Sequence, residues 1–156
     1  MSIKVLEKFS WDWKTYKELS KDELYKILRK RQQIFSVEQE SWYLDADNLD
    51  QESLHLLCIR ETRLVAYLRL CPPNLKYDES CIGRVVVDRE FRKQGLGKLI
   101  VFEAIEKSKS LYKDQDIKIS AQFYLKNFYQ NFGFRKVSDI YDEDGIDHIE
   151  MLYEVD

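Results

Sequence analysis

The sequence has few prolines and glycines and no long apolar run. Only 2 of its 156 residues are proline and 5 are glycine, while 44% are hydrophobic and 34% are charged, which is typical of a compact globular protein. No stretch approaches the roughly 20 apolar residues of a membrane span, and residues 1–10 lack the apolar core of a signal peptide. These absences predict a globular protein without a membrane partner.

Cysteine is also scarce, and neither sign of charge dominates. The three cysteines, Cys58, Cys71 and Cys81, are odd in number and show no metal-ligand spacing, which predicts reduced thiols, no metal site and a cytoplasmic location. With 25 basic and 28 acidic residues the net charge is −3, so bulk charge does not favour a nucleic-acid partner. The length suits one hydrophobic core, and we expect a single domain over residues 1–156.

Hydrophobic periodicity predicts a mixed α/β sheet. Ser20 and Glu23 have the spacing of a capping box, and the apolar stripe that follows predicts a helix reaching Phe35. Residues 40–51 are polar and acidic and are predicted to form a loop. Strands are predicted at 9–14, 54–60, 64–70, 82–87, 117–121, 134–137 and 148–155, and further helices at 96–110 and 124–131. A strand–helix–strand crossover among hairpins is typical of such a sheet.

One passage of the sequence points to a ligand. The β-branched strand Ile82–Val87 leads into the basic turn Arg92–Lys98, which contains Gly95 and Gly97 and opens a helix. The start of a helix collects free backbone N–H groups and the positive end of the helix dipole, which suits an anionic phosphate. Glycine lets the backbone approach such a group closely. The turn therefore predicts a phosphate-binding site.

Two familiar phosphate loops do not fit this turn. A Walker A loop requires Ser or Thr after Gly-Lys, but Leu99 follows Lys98, and Arg92 stands where its first glycine belongs. The dinucleotide motif G-x-G-x-x-G fails at its third glycine, where Ile100 stands. The remaining pattern, R-x-x-G-x-G, leaves two interpretations open: anion binding, or a glycine-containing turn that only caps the helix.

Two motifs resemble the GNAT superfamily of N-acetyltransferases. Arg92–Gly97 matches its [Q/R]-x-x-G-x-[G/A] motif, and Phe128–Phe134, with the sequence FYQNFGF, matches its later F-Y-x-x-x-G-F element. Two further segments resemble the ElaA-like branch of that superfamily, namely Arg31–Gln39 (RQQIFSVEQ) and Glu143–Met151 (EDGIDHIEM). The order of the elements agrees with this resemblance over nearly the whole chain.

This resemblance implies a fold and a cosubstrate. The fold is a mixed, mostly antiparallel central sheet with a splayed strand pair, flanked by helices, and the cosubstrate is acetyl-CoA. Val85 and Val87 would pair through their backbone with the pantetheine arm along an open strand edge, while their side chains are expected to pack in the core. The pyrophosphate would bind to the turn, which assigns that role to Arg92, Lys93, Gln94, Gly95, Leu96, Gly97 and Lys98.

The resemblance also implies direct attack of an amine on the thioester. Tyr129 matches the family's candidate acid, whose hydroxyl would contact the departing sulfur. The residue also belongs to an i, i+3, i+4, i+7 pattern with Leu125, Phe128 and Phe132, which is typical of a core aromatic. Both interpretations of Tyr129 therefore stand at this point, and the flanking motif favours the catalytic one.

The general base is less well defined by the sequence. Glu38 ranks first among four candidates, the others being Asp50, His55 and His148. His55 lies on a predicted strand, where a structural histidine is commoner than a catalytic one. A covalent acetyl-cysteine route through Cys81 is disfavoured because no base accompanies that residue in the sequence.

The acceptor is expected to be a small-molecule or peptide amine, and a homodimer is left open. Asp45, Asp47 and Asp50 are predicted to lie in a solvated loop that would attract a cationic amine. Two departures from the ElaA-like pattern concern the acceptor side: Asp147 replaces its usual proline, and Glu40 its frequent cysteine.

A second class of function also fits the sequence. A coenzyme A-binding sensor or interaction module with little catalysis would need the phosphate turn but no contact to a leaving group. Tyr129 is therefore the residue that discriminates between the two classes.

Overall fold

One mixed sheet organises the part of the chain that the computed structural model describes, residues 9–155. Its strands are β1 (Ser10–Thr15), β2 (Leu54–Arg60), β3 (Arg63–Cys71), β4 (Ser80–Val87), β5 (Ile117–Gln122), β6 (Arg135–Lys136), β7 (Tyr141–Glu143) and β8 (Ile146–Tyr153). The helices are α1 (Lys21–Arg31), α2 (Leu96–Leu111) and α3 (Lys126–Gln130), and a π-helical segment spans Gln32–Glu38. The strand order is β1-β2-β3-β4-β5-β8-β6, and β7 pairs with the start of β8.

The sheet is mostly antiparallel, as expected. Only β4 and β5 run parallel, and α2 connects them as a crossover. The predicted β2–β3 hairpin is present, with Glu61 in the left-handed region at φ 59°. Strand β7 was not predicted; it forms a second hairpin with β8 across Asp144 and Gly145. Both turn residues have positive φ, as a two-residue hairpin turn favours, and Asp-Gly is a strong signal for such a turn.

The helices begin where local signals predict. Ser20 Oγ accepts a hydrogen bond from the Glu23 N–H at 3.1 Å, and the Glu23 carboxylate accepts one from the Ser20 N–H at 2.8 Å, which is the predicted capping box. The predicted helix to Phe35 continues past Arg31 in π-helical geometry, a form that is rare and frequent at functional sites. No helix within residues 9–155 is both long and apolar enough to cross a membrane.

Each face of the sheet is covered by different helices. Leu96 and Ile100 of α2 are buried against one face, in a cluster that also contains Tyr129 of α3. Ile27 of α1 and Ile34 of the π-helical segment are buried against the other face. Because side chains alternate along a strand, successive residues of β5 face these two sides in turn.

The parallel pair β4–β5 separates soon after it begins. The register joins Ser80 to Ile117 and Cys81 to Lys118, and the strands then diverge. On its other side β4 contains a bulge. Val86 follows Gly83 by three residues, but their register partners in β3 are only two residues apart. The divergence leaves one edge of β4 unpaired beyond Cys81, which confirms the splayed pair that the resemblance implied.

Candidate active site

A cleft of about 900 Å³ opens where β4 and β5 diverge, a volume that suits a small-molecule site. Its walls are formed by residues 82–87 of β4, residues 119–122 of β5 and Tyr129 of α3. Phe35 and Glu38 of the π-helical segment line it on the α1 side. We call this space the central cleft.

The glycine-containing turn forms one end of the central cleft. Gly95 is the residue before α2 and has φ 84°, a conformation that favours glycine. It offers no side-chain acceptor to the first N–H groups of α2, so these donors and the positive end of the helix dipole remain available to an anion. Lys93 and Gly97 line the cleft beside them. The geometry is that of a helix start open to the cleft, as the anion-binding interpretation requires.

The other predicted cofactor residues fall into two groups. Val85 and Val87 line the central cleft and also pack against the core, as expected for residues that would contribute backbone groups. Leu96 is buried in the core, and the Gln94 side chain donates to the Glu90 carbonyl. Lys98 does not line the cleft. Leu96 can therefore contribute only its backbone to phosphate binding, whereas the Gln94 and Lys98 side chains are exposed beside the helix start.

Arg92 is held by two contacts within the protein. Its Nε donates to the Val87 carbonyl at 3.0 Å, and its Nη1 donates to a carboxylate oxygen of Glu38. The structure thus brings Glu38, the first-ranked base, to the phosphate end of the cleft. One oxygen of its carboxylate is already occupied by a guanidinium.

Tyr129 packs as a core aromatic and also borders the central cleft, so its position agrees with both interpretations. Its ring packs edge-on against Phe128 and Phe134, with centroid distances of 5.1 and 5.9 Å, and it also lines the central cleft. Burial raises the pKa of Tyr129 well above its usual value. The hydroxyl therefore keeps its proton at neutral pH and can donate a hydrogen bond into the cleft.

Ser120, Glu143 and His148 line the opposite side of the cleft and belong to a chain of contacts that begins at Tyr141. Tyr141 and Ser120 share a hydrogen bond between their hydroxyls, and Ser120 Oγ donates to Glu143 Oε2 at 2.9 Å. That oxygen lies 3.3 Å from His148 Nε2. Of these residues, only His148 was a candidate from the sequence; Glu143, Ser120 and Tyr141 were not, although the Asp-Gly turn after Glu143 was a signal that could have placed them.

Comparison with known proteins agrees with this geometry. A family model described as an acetyltransferase (GNAT) domain matches residues 16–155. The chain belongs to the GNAT acetyltransferase family. It is 44% identical over 147 residues to the UPF0039 protein sll0451 of Synechocystis, covering 94% of this chain and 96% of the relative. It is 36% identical to the protein ElaA of Escherichia coli, covering 93% and 96%.

A solved structure supports the same assignment. An acyl-CoA N-acyltransferase from Pseudomonas aeruginosa superposes with a TM-score of 0.89 at 37% identity, covering 93% of this chain and 99% of that one. The resemblance to the GNAT superfamily and to its ElaA-like branch is thus confirmed.

The acidic loop of this GNAT protein is not the solvated loop that was predicted. Its aspartates form an ion-pair cluster with three arginines: Arg31 binds Asp45 and Asp50, Arg69 binds Asp47 and Asp50, and Arg84 binds Asp45 and Asp47, at 2.7 to 3.2 Å. Arg31 and Arg69 are almost fully buried, and a buried guanidinium requires carboxylate partners. The three aspartates are therefore paired with arginines and are not the free, solvated carboxylates that were expected.

The surroundings of two other candidates, His55 and Cys81, do not favour a catalytic role. His55 is buried, with Nδ1 2.8 Å from the Tyr67 hydroxyl and Nε2 2.9 Å from the Asp50 carbonyl, and burial lowers its pKa. It is a satisfied structural histidine, as expected. A hydrogen bond with Cys71 and burial both raise the pKa of the Cys81 thiol, which disfavours a thiolate nucleophile there.

Proposed function

We propose that this GNAT protein transfers the acetyl group of acetyl-CoA to a primary amine by direct attack of the amine on the thioester. Acetyl-CoA is the cosubstrate. The observation that carries the proposal is the central cleft itself, which joins an open strand edge, a free helix start and a buried tyrosine. The relative from Pseudomonas aeruginosa, described as an acyl-CoA N-acyltransferase, supports the same reaction class.

The cofactor half of the cleft suits the chemistry of coenzyme A. Pantetheine carries two amides, and the unpaired edge of β4 beyond Cys81 offers backbone donors and acceptors to them. The pyrophosphate would meet the N–H groups that follow Gly95, together with the charge of Lys93. Val85 lies between the start of this open edge and the turn, and it has no register partner in β3.

The leaving group would be handled by Tyr129. The departing thiolate gains negative charge as the C–S bond breaks, and a neutral hydroxyl can donate to it. Because burial raises the pKa of Tyr129, we propose a strengthening hydrogen bond to sulfur. The thiolate would then take its proton from water.

The attacking amine must first lose a proton. At pH 7 this costs about 4.6 kcal/mol for an amine with a pKa near 10.4, so a base on the acceptor side would accelerate the reaction. Glu38 is the candidate that the sequence ranks first. It borders the cleft, but one oxygen of its carboxylate is already bound to Arg92, so a group elsewhere on the cleft wall is better placed to take the proton.

The proposal is tested by separating binding from turnover. Calorimetry measures acetyl-CoA binding, and thiol release is then followed with n-butylamine, 1,4-diaminobutane, a peptide with a free N-terminus and a lysine peptide with a blocked N-terminus. We expect binding, together with thiol release and an acetylated product for at least one amine. Binding without thiol release from any of them would favour the coenzyme A sensor instead.

A further inference from the structure

The hydrogen bonds of His148 define which of its nitrogens is free to accept a proton. Nδ1 lies 2.8 Å from the Ile146 carbonyl, and a carbonyl can only accept, so Nδ1 must carry the proton. In the neutral ring Nε2 then has a lone pair. Glu143 Oε2 lies 3.3 Å from that nitrogen, so two acceptors face each other.

Two facing acceptors are stable only with a proton or a cationic donor between them. Glu143 cannot turn this oxygen away without losing the hydrogen bond from Ser120 Oγ at 2.9 Å. The imidazole is likewise held by its bond to Ile146 and by stacking on Tyr141, with 29° between the rings. An ammonium group has three N–H donors and can satisfy both acceptors.

The pair faces the central cleft from the side opposite Tyr129. Ile119 and Ala121 of β5 belong to the core cluster that contains Tyr129, so Ser120 and Gln122 face the other way. His148 is the register partner of Gln122 and shares its face. An amine bound there would approach the thioester from this side of the sheet. The sulfur would leave on the opposite side, near the Tyr129 hydroxyl.

We infer that Glu143 and His148 form the docking site for the acceptor amine in its ammonium form, and that His148 Nε2 takes the first proton. The inference deepens the proposed transfer reaction and rests on it. Its substrate class is a primary ammonium, because the carboxylate and the imidazole must each accept an N–H from the same nitrogen. Once His148 Nε2 carries a proton, Glu143 Oε2, at 3.3 Å, can accept the hydrogen bond that it donates.

The transfer reaction is balanced in protons and electrons without a further reactant. The ammonium gives one proton to His148 Nε2, and the free amine attacks the carbonyl carbon to form the C–N bond. The C–S bond then breaks, the thiolate takes one proton from water, and the attacking nitrogen gives its second proton to the hydroxide so formed, which leaves the amide nitrogen with one of its original three hydrogens. His148 returns its proton to solvent, so the reaction yields amide, coenzyme A thiol and one net proton.

The geometry favours this pair over Glu38 as the proton acceptor. The Glu38 carboxylate already accepts a hydrogen bond from the guanidinium of Arg92, so that oxygen is not free to accept a proton from an amine. His148 has a lone pair with no donor from the described part of the chain, and an imidazole is a suitable base near neutral pH. Glu38 would then contribute to the cleft wall.

The chain provides an internal control for a binding test, because it contains only two histidines. Protein labelled with ¹⁵N-histidine is saturated with coenzyme A and titrated with n-butylammonium chloride at pH 7, then with n-butanol, which has the same chain and no ammonium group. We expect butylammonium to shift the Nε2 resonance of His148 while His55, buried in the core, stays unchanged. Butanol should shift neither.

Two variants connect this binding to the reaction. Glu143→Gln should weaken butylammonium binding by roughly 10-fold or more, since it removes the charge that accepts the ammonium hydrogen bond. His148→Gln should lower kcat by roughly 100-fold, and imidazole added to His148→Ala should restore part of the rate. Glu154→Gln is the matched control, because Glu154 is exposed and pairs with Arg135 outside the cleft.

The outcomes separate this inference from the proposed function. If wild type acetylates an amine while both site variants match it, the docking site is wrong and the transfer reaction stands. If His148 is doubly protonated before and after butylammonium is added, or does not respond to it, the inference is overturned whatever the turnover. If no amine releases thiol, the proposed function fails, and the titration still decides whether an ammonium binds.

Discussion

Glu38 and Arg92 lie 54 residues apart in the sequence, yet their side chains form an ion pair that joins the π-helical segment to the phosphate turn. Arg92 also donates to the Val87 carbonyl at 3.0 Å, so it connects the turn to the end of β4. Glu38 and Arg92 both line the central cleft. The guanidinium is fixed by these contacts, and the carboxylate is less available as a base.

This relationship predicts a mild effect of Glu38→Gln on the chemical step. We expect kcat to stay within roughly 10-fold of wild type, because the carboxylate is already engaged by Arg92, while KM for acetyl-CoA rises as the wall loosens. Steady-state kinetics with an amine found in the panel provide the measurement, with Glu154→Gln as the control. A fall in kcat of roughly 100-fold or more at unchanged KM would instead establish Glu38 as the general base.

Tyr129→Phe separates the packing of the ring from the role of its hydroxyl. The ring contacts with Phe128 and Phe134 are kept, so we expect little change in Tm and in acetyl-CoA affinity. If the hydroxyl contacts the departing sulfur, kcat should fall by roughly 10- to 1,000-fold. The comparison is made at saturating acetyl-CoA, and equal turnover would leave Tyr129 as a core aromatic only.

Gly97 allows a graded test of cofactor binding. A Cβ added at this position would lie 3.9 Å from Val87 and 4.0 Å from Phe128, which is ordinary contact, so Gly97→Ala should fold normally. Gly97→Val extends further into the cleft between these two side chains, and we expect its acetyl-CoA affinity to fall by roughly 10-fold or more at similar Tm. If calorimetry finds wild-type affinity for the valine variant, the cofactor does not bind next to residue 97.

The buried ion-pair cluster should dominate stability. Asp50 accepts hydrogen bonds from Arg31 at 2.7 Å and from Arg69 at 2.9 Å, and both arginines are buried. Asp50→Asn leaves two buried guanidinium groups with one carboxylate fewer, so we expect a loss of roughly 3–5 kcal/mol in the free energy of unfolding. Urea denaturation provides the measurement. The exposed variant Glu154→Gln should remain near wild type, and equal losses in both variants would contradict the argument.

The same cluster predicts how stability depends on acid. Burial alone would raise the pKa of Asp50, but hydrogen bonds and attraction from Arg31 and Arg69 outweigh it, so its pKa in the folded protein lies below the usual value. A lowered folded pKa means that the unfolded chain binds more protons in acid. The contribution is therefore complete above about pH 5 and is lost as the pH falls below about 4.

Denaturation curves between pH 3 and pH 7 test this dependence. Wild type should lose stability toward acid more steeply than Asp50→Asn, which has no proton to gain at that position. Parallel curves for the two proteins would show that Asp50 does not titrate with folding.

The sequence by itself determined the features that depend on neighbouring residues. The capping box of Ser20 and Glu23, the β2–β3 hairpin and the helix start after Gly95 follow from local hydrogen bonding and allowed dihedral angles. The motifs around Gly95 and Tyr129 were sufficient to recognise the family. These interactions need no information from distant parts of the chain.

Only the tertiary structure decided how distant charges pair. Asp47 and Asp50 looked solvated in the sequence, because nothing near them shows that Arg69, on an otherwise apolar strand, is buried and must be neutralised. Likewise, Glu143 and Ser120 are 23 residues apart and meet only when β7 folds back onto β8. Such pairings depend on register and burial, which the whole sheet sets.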